Sequence, residues 1–381
     1  MIAFESRRHW KAHWIVGVLV MMMIGGCSMN NDNTELNSNR ALQVLADAYA
    51  AQAAGQLSKA RALESANTLA QSAESLPLEL RLPLRYHQAR LLAIGDKRDQ
   101  ALKVLDDLDS ASAIFPEAIW LRIQLAASEA SDQANQMRWT LEDQLGSLLP
   151  MSAWGRSLDS RLEQREADKL EQPLSDSPLR PTIPRLDADK LLRIASLYDQ
   201  MAMNAEGANA YREAIYSVFA PPGFPETGAE TWMSDTLAAT WLAIARNEAS
   251  LGVKRWAAQA VFMAVASSPR VRAAAAELLR DIESGKKSAI GSKPNAKMLI
   301  EIAGLYRACN LHLRAIQALD RTAELPGVNV SSLRDEIVAE WSKLVSSYMS
   351  GRDQICFLFG FKTSSTPPEK LLPGQFSYGE R

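Results

Sequence analysis

One spacing constrains this chain more than any other feature. From residue 41 onward apolar residues recur at intervals of three and four, Ala, Leu and Glu are frequent, and few stretches alternate β-branched with polar residues. That period belongs to amphipathic helices and predicts an all-α body. Superimposed on it, small residues stand twelve positions apart across intended turns: Ala195 and Gly207, Ala245 and Ala257, Ala303 and Ala315, with Ala89/Ala101 and Ala48/Ala60 as weaker instances. Two antiparallel helices approach closely only where both facing side chains are small. Large residues one turn away then fill the space between one hairpin and the next. A single hairpin cannot bury its apolar face alone, so such units must stack.

Three stretches carry the pattern best. Residues 238–271 hold Trp241, Ile244, Ala245, Ala257, Val261, Ala264 and Pro269; residues 188–221 hold Leu191, Ile194, Ala195, Tyr198, Gly207, Tyr211 and Ala214; residues 296–329 hold Leu299, Ile302, Ala303, Tyr306, Ala315 and Leu319. At these offsets the units resemble the tetratricopeptide repeat. One departure is Glu248, which stands where the family carries an aromatic residue. The resemblance implies an α-solenoid of TPR-like helical hairpins with inserted loops, in which the first helix of each hairpin lines a concave groove. The family's groove offsets fall on Tyr86, Arg90 and Ala93, on Leu192, Ser196 and Asp199, on Leu242, Arg246 and Ala249, and on Ile300, Gly304 and Arg307. Arg90, Arg246 and Arg307 are then candidates for gripping the carboxylate of an acidic peptide or a chain terminus, since a guanidinium is a rigid fork matched to that group. A structural ion pair with a neighbouring acid is the other reading of each.

The units do not run in strict tandem. Starts near 41, 82, 118, 188, 238 and 296 are unevenly spaced, so insertions separate them. Pro173, Pro178, Pro181 and Pro184 mark residues 151–187 as an extended linker, dividing N-terminal hairpins over 41–150 from C-terminal ones over 188–350. Residues 333–349 read as one more amphipathic helix, placed to cap the stack, and 351–381 read as a tail.

The N-terminus fixes the expected compartment. Arg7, Arg8 and Lys11 precede the uncharged run Trp14–Ile24, then Gly25, Gly26 and Cys27. A basic segment, a short apolar segment and small residues form a signal for export. Ile24-Gly25-Gly26-Cys27 resembles the bacterial lipobox. The resemblance implies cleavage after residue 26, a diacylglycerol on the Cys27 sulfur and an acyl chain such as palmitate on the new N-terminus. Together these anchor the protein to a lipid bilayer. An uncleaved anchor over Trp10–Gly26 is the alternative. Ser28 replaces the Asp that resembles an inner-membrane retention signal, which favours an outer-membrane lipoprotein facing the periplasm over inner-membrane anchoring. Residues 27–40 are polar and Asn-rich, as a flexible tether would be.

Reactive chemistry is sparse. The net charge of −2 gives no basic field for nucleic acid. Of four His, His9 and His13 lie in the signal, leaving His87 and His312; Cys309 and His312 have no second ligand pair beside them, so no metal site is expected and His312 reads as a surface residue. No Gly-x-Ser-x-Gly or His-Glu-x-x-His occurs, and no cofactor is implied. Asp106, Asp107 and Asp109 read as a solvated helix end. In an oxidising periplasm Cys309 and Cys356 are a possible disulfide, with two buried thiols as the alternative. The expected function is that of a non-enzymatic adaptor or scaffold binding other envelope proteins or peptides. Its alternatives are a structural subunit of a large envelope assembly or secretion complex and, third, an enzyme on a helical scaffold.

Overall fold

The computed structural model describes residues 35–110, 115–126, 188–218, 234–286, 293–309 and 311–348. Among them the chain is all-helical, with no strand. In chain order the helices are α1 (35–53), α2 (Lys59–Glu74), α3 (Leu78–Ile94), α4 (Arg98–Ser110), α5 (Pro116–Ala126), α6 (Ala188–Gln200), α7 (Asn204–Val218), α8 (Ser234–Ser250), α9 (Lys254–Ser267), α10 (Arg272–Ser284), α11 (Ala296–Ala308), α12 (His312–Ala323) and α13 (Ser331–Tyr348). The residues read as the linker 151–187 and the tail 351–381 lie outside the described residues.

Local chemistry sets many of the helix ends. The Ser58 hydroxyl accepts from the Arg61 amide at 3.2 Å, and the Asn295 side chain accepts from the Lys297 amide at 2.9 Å. Each occupies a donor the first turn leaves without an intrahelical acceptor. Gly285 closes α10 at φ 70°, a left-handed conformation glycine adopts without Cβ strain. The turn between α6 and α7 instead places Ala202 at φ 52°.

The helices pair as hairpins, α6 with α7, α8 with α9 and α11 with α12, while α2, α3 and α4 pack in succession. The twelve-residue pairs are buried at Ala195/Gly207, Ala245/Ala257, Ala303/Ala315 and Ala89/Ala101. The fifth pair is displaced: Ala60 faces solvent, and Ala62 is the first residue of α2 to be buried. The tether is also shorter than its composition suggests. Helix α1 already runs from residue 35, because Ser38 is buried against α10 and donates to Glu283 at 2.8 Å.

The hairpins do not follow chain order in space. Helix α9 packs on α3, α8 packs on α7, and α6 packs on α11, so the 188–218 hairpin sits between the 234–267 and 296–323 hairpins. Met201, just beyond the end of α6, accepts through sulfur from the Asn295 amide at the start of α11 (3.3 Å), whereas Arg193, a half-helix earlier, pairs with Glu301 further along α11 at 2.9 Å. Helices α6 and α11 therefore run antiparallel. Helix α13 packs on α12.

Two helices are enclosed. Residues Ala257–Val265 of α9 are all buried, and so are Tyr86–Leu92 of α3. The near-unbroken apolar run of α9 follows from contact on every side.

Candidate functional site

Of the sequence-predicted site residues, Cys27 and Cys356 lie outside the described residues. Cys309 is buried at the C-terminal end of α11, where its amide donates to the Leu305 and Tyr306 carbonyls, both at 3.1 Å.

The groove positions divide into several settings. Tyr86 and Arg90 do not face an open groove. Tyr86 is fully buried and Arg90 is 5% exposed, with its guanidinium stacked 4.7 Å over the Tyr49 ring. The physical reason is that α9 and α1 cover α3 on the side the repeat register would leave open. Phe262 of α9 stands edge-on to His87 at 6.4 Å, and the Tyr49 hydroxyl of α1 lies 3.0 Å from His87 Nδ1. Burial, then the nearby Arg90 charge, push the His87 pKa well below its ordinary value, so the ring is neutral.

Arg307 is also committed. It spans from α11 to α13, donating through Nε to Glu340 at 2.9 Å and through a terminal nitrogen to Glu336 at 2.6 Å. These hydrogen bonds hold the Glu340 carboxyl below its usual range and push Arg307 further up. His312, expected at the surface, is buried, with Nε2 3.6 Å from the same Glu340. The acidic face of α13 thus docks where a ligand carboxylate would have been received.

Ser196, Asp199 and Arg246 lie on α6 and α8. Ser196 is half-buried and Arg246 is exposed. Asp199 is the centre of a polar junction: one oxygen accepts from Asn247 Nδ2 at 2.7 Å and the other from the Tyr211 hydroxyl at 2.9 Å. Desolvation raises the Asp199 pKa against the pull of these donors and of Arg246, and raises Tyr211 as well. Gly207 makes room for the arrangement. A Cβ there would stand 2.7 Å from Asp199 Oδ1 and 3.3 Å from Asn247 Oδ1. Both carboxylate oxygens are engaged, so the junction joins the hairpins and leaves Arg246 as the outward-facing cation above it.

Sequence reasoning missed the buried ion pairs. Glu248, the departure from the repeat pattern, pairs with Arg212 of α7 at 2.5 Å, both side chains almost wholly buried. Arg212 also lies 5.1 Å over the Trp256 ring, which meets Phe115, the residue just before α5, edge-on at 5.2 Å. Between the 188–218 and 296–323 hairpins, Arg314 pairs with the buried Glu213 and Arg321 with Glu206. Tyr198 and Tyr306 lie buried beside them, and burial pushes Tyr198 up to about 12. The one available signal was Glu248, a charge where the repeat pattern carries an aromatic residue.

Among the described residues no cluster of His, Cys, Asp and Glu could hold a metal ion, and no helix is long and apolar enough to cross a membrane. Arg122 ties Asp106 at 2.7 Å, while Asp107 is exposed. Comparison with known proteins gives no match: no family model, no curated protein and no solved structure is significantly similar to this chain.

Proposed function

We propose that this chain is a bacterial envelope lipoprotein, acylated at Cys27, whose TPR-like stack of hairpins serves as a protein-binding adaptor or scaffold and performs no catalysis. The observation that carries this reading is the division of the chain into a lipobox-like run, Ile24-Gly25-Gly26-Cys27, followed by a body of helical hairpins. Acylation concentrates the body at a membrane surface, and an array of helices presents wide faces to other chains. The half-buried Ser196 of α6 and the exposed Arg246 of α8 mark the partner face in this reading, since α3 is enclosed and Arg307 is held by α13. Ser28, in place of an Asp, favours an outer-membrane position facing the periplasm over inner-membrane anchoring.

The test has two arms. Cells expressing the chain are labelled with a palmitate analogue, and the mature N-terminus is weighed by mass spectrometry. A lipidated Cys27 and loss of label in Cys27→Ser are expected; an unmodified, uncut terminus refutes the anchor. Photocrosslinking amino acids at Ser196 and Arg246 in intact cells are expected to yield one recurrent adduct, absent when the probe sits at the enclosed Arg90. Equal yields at all three positions would refute the partner face.

A further inference from the structure

Among the described residues, Leu36, Leu78, Leu251, Val253 and Ile300 are the large apolar side chains left exposed, at 67, 55, 46, 38 and 36%. The first four lie on one edge. Leu36 opens α1 and Leu78 opens α3, and the first turn of α1 is tied to the α2–α3 turn by Asn37 donating to Ser75 at 2.8 Å. Glu35 lies 3.7 Å from Arg280, and Ser38 bonds Glu283, so the end of α10 belongs to this edge too. The Glu283 carbonyl accepts from Lys254 at 3.3 Å, which brings in the α8–α9 turn that carries Leu251 and Val253. Four exposed apolar residues from three separate segments thus share one end of the helix array, with Lys254 and Arg280 among them.

The same edge is where the acylated segment enters the body. Cys27 precedes Glu35 by eight residues, a leash of about 29 Å at full extension. The opposite edge, at the α1–α2 turn, is farther by the length of α1, about 28 Å.

We propose that this edge is the face the body turns to the bilayer, with Leu36, Leu78, Leu251 and Val253 entering the headgroup region. The proposal rests on the lipoprotein reading and deepens it: the lipid supplies the attachment, and the edge sets the orientation of the partner face. Apolar side chains at an interface are stabilised by leaving water, and long cationic side chains reach back to the headgroups. Glu35, Asp281 and Glu283 balance Lys254, Arg280 and Lys286, the last paired with Asp281, so the contact is apolar in origin and requires no anionic lipid.

The experiment uses the full processed, acylated chain reconstituted in phosphatidylethanolamine-phosphatidylcholine vesicles. Leu36→Cys, Leu78→Cys, Leu251→Cys and Val253→Cys are labelled one at a time with an environment-sensitive fluorophore, in a Cys356→Ser background where Cys309 is buried. Gln56→Cys, exposed on the opposite edge, is the comparison. The four edge labels are expected to brighten severalfold, shift to the blue and be quenched by shallow spin-labelled lipid, while the Gln56 label is unchanged. If all five labels behave alike while the protein floats with the vesicles, the orientation is overturned and the anchor stands. Concentration-dependent energy transfer between labelled copies, without quenching by lipid, would make the edge a self-association surface and overturn the proposal. Failure to float, with Cys27 unmodified, removes the anchor and the proposal together.

Discussion

Glu248→Gln isolates one buried charge and tests the reasoning about the hairpin interface directly. In the native chain Arg212 and Glu248 face each other at 2.5 Å with side chains 6% and 5% exposed, and the guanidinium rests on Trp256. A buried pair gives little net stability because desolvating both ions opposes their attraction, but removing one partner strands the other. The substitution keeps the shape and an acceptor oxygen while deleting the countercharge. It is expected to cost about 3–5 kcal/mol, as breaking such pairs does. With a urea dependence of about 2–3 kcal/mol per molar, the unfolding midpoint falls by roughly 1–2.5 M. The double replacement Arg212→Met/Glu248→Leu removes both charges and fills the site, and it is expected to lie within about 1 kcal/mol of wild type, the contact with Trp256 being lost in part. Urea unfolding followed by far-ultraviolet circular dichroism and by tryptophan fluorescence reads both variants and the single replacements Arg212→Met and Glu248→Leu. A Glu248→Gln midpoint equal to wild type, or a double variant as unstable as the sum of the singles, would refute the claim that burial makes the pair interdependent.

Three further outcomes are expected. His87 stays neutral in the folded chain and titrates near 6.5 when unfolded, so below that pH the unfolded state takes up the extra proton. Stability therefore falls as pH drops from about 6.5, by up to about 1.4 kcal/mol per unit, and His87→Gln flattens that slope in urea midpoints measured from pH 7 to 5. Gly207→Ala drives a Cβ against Asp199 and is expected to lose about 1–3 kcal/mol, whereas Gly304→Ala, with nothing within 4 Å of the new carbon, gains roughly 0.5–1 kcal/mol in thermal unfolding. Ala202→Gly relieves a left-handed alanine at φ 52° and is expected to raise stability by about 0.5–1 kcal/mol, less than the full αL cost because glycine also loosens the unfolded chain.

Helical segments were legible because a helix is a local object whose buried face repeats every three to four residues. The expected unit starts near 188, 238 and 296 lie within four residues of the starts of α6, α8 and α11. Four small-residue pairs were legible for the same reason, since a tight turn couples two neighbouring helices. The pair Ala48/Ala60 failed where the α1–α2 turn shifted the register and put Ala62 inside. Of the site, Arg246 is exposed, and Asp199 proved to be a junction because Asn247 reaches it from a different hairpin.

The sequence by itself determined that the described body is helical, roughly where its hairpins turn, and that small residues let paired helices approach. Only the tertiary structure decided which hairpin stands beside which. Helix α9 encloses α3, so Tyr86 and Arg90 are interior; α11 meets α6 antiparallel, so Glu213 and Arg314 meet across hairpins far apart in the chain; α13 settles on α12 and claims Arg307. The reason is one of range. Helix period and turn length are set by neighbours a few residues away, whereas the face a helix buries depends on segments more than a hundred positions distant, whose approach no local spacing records.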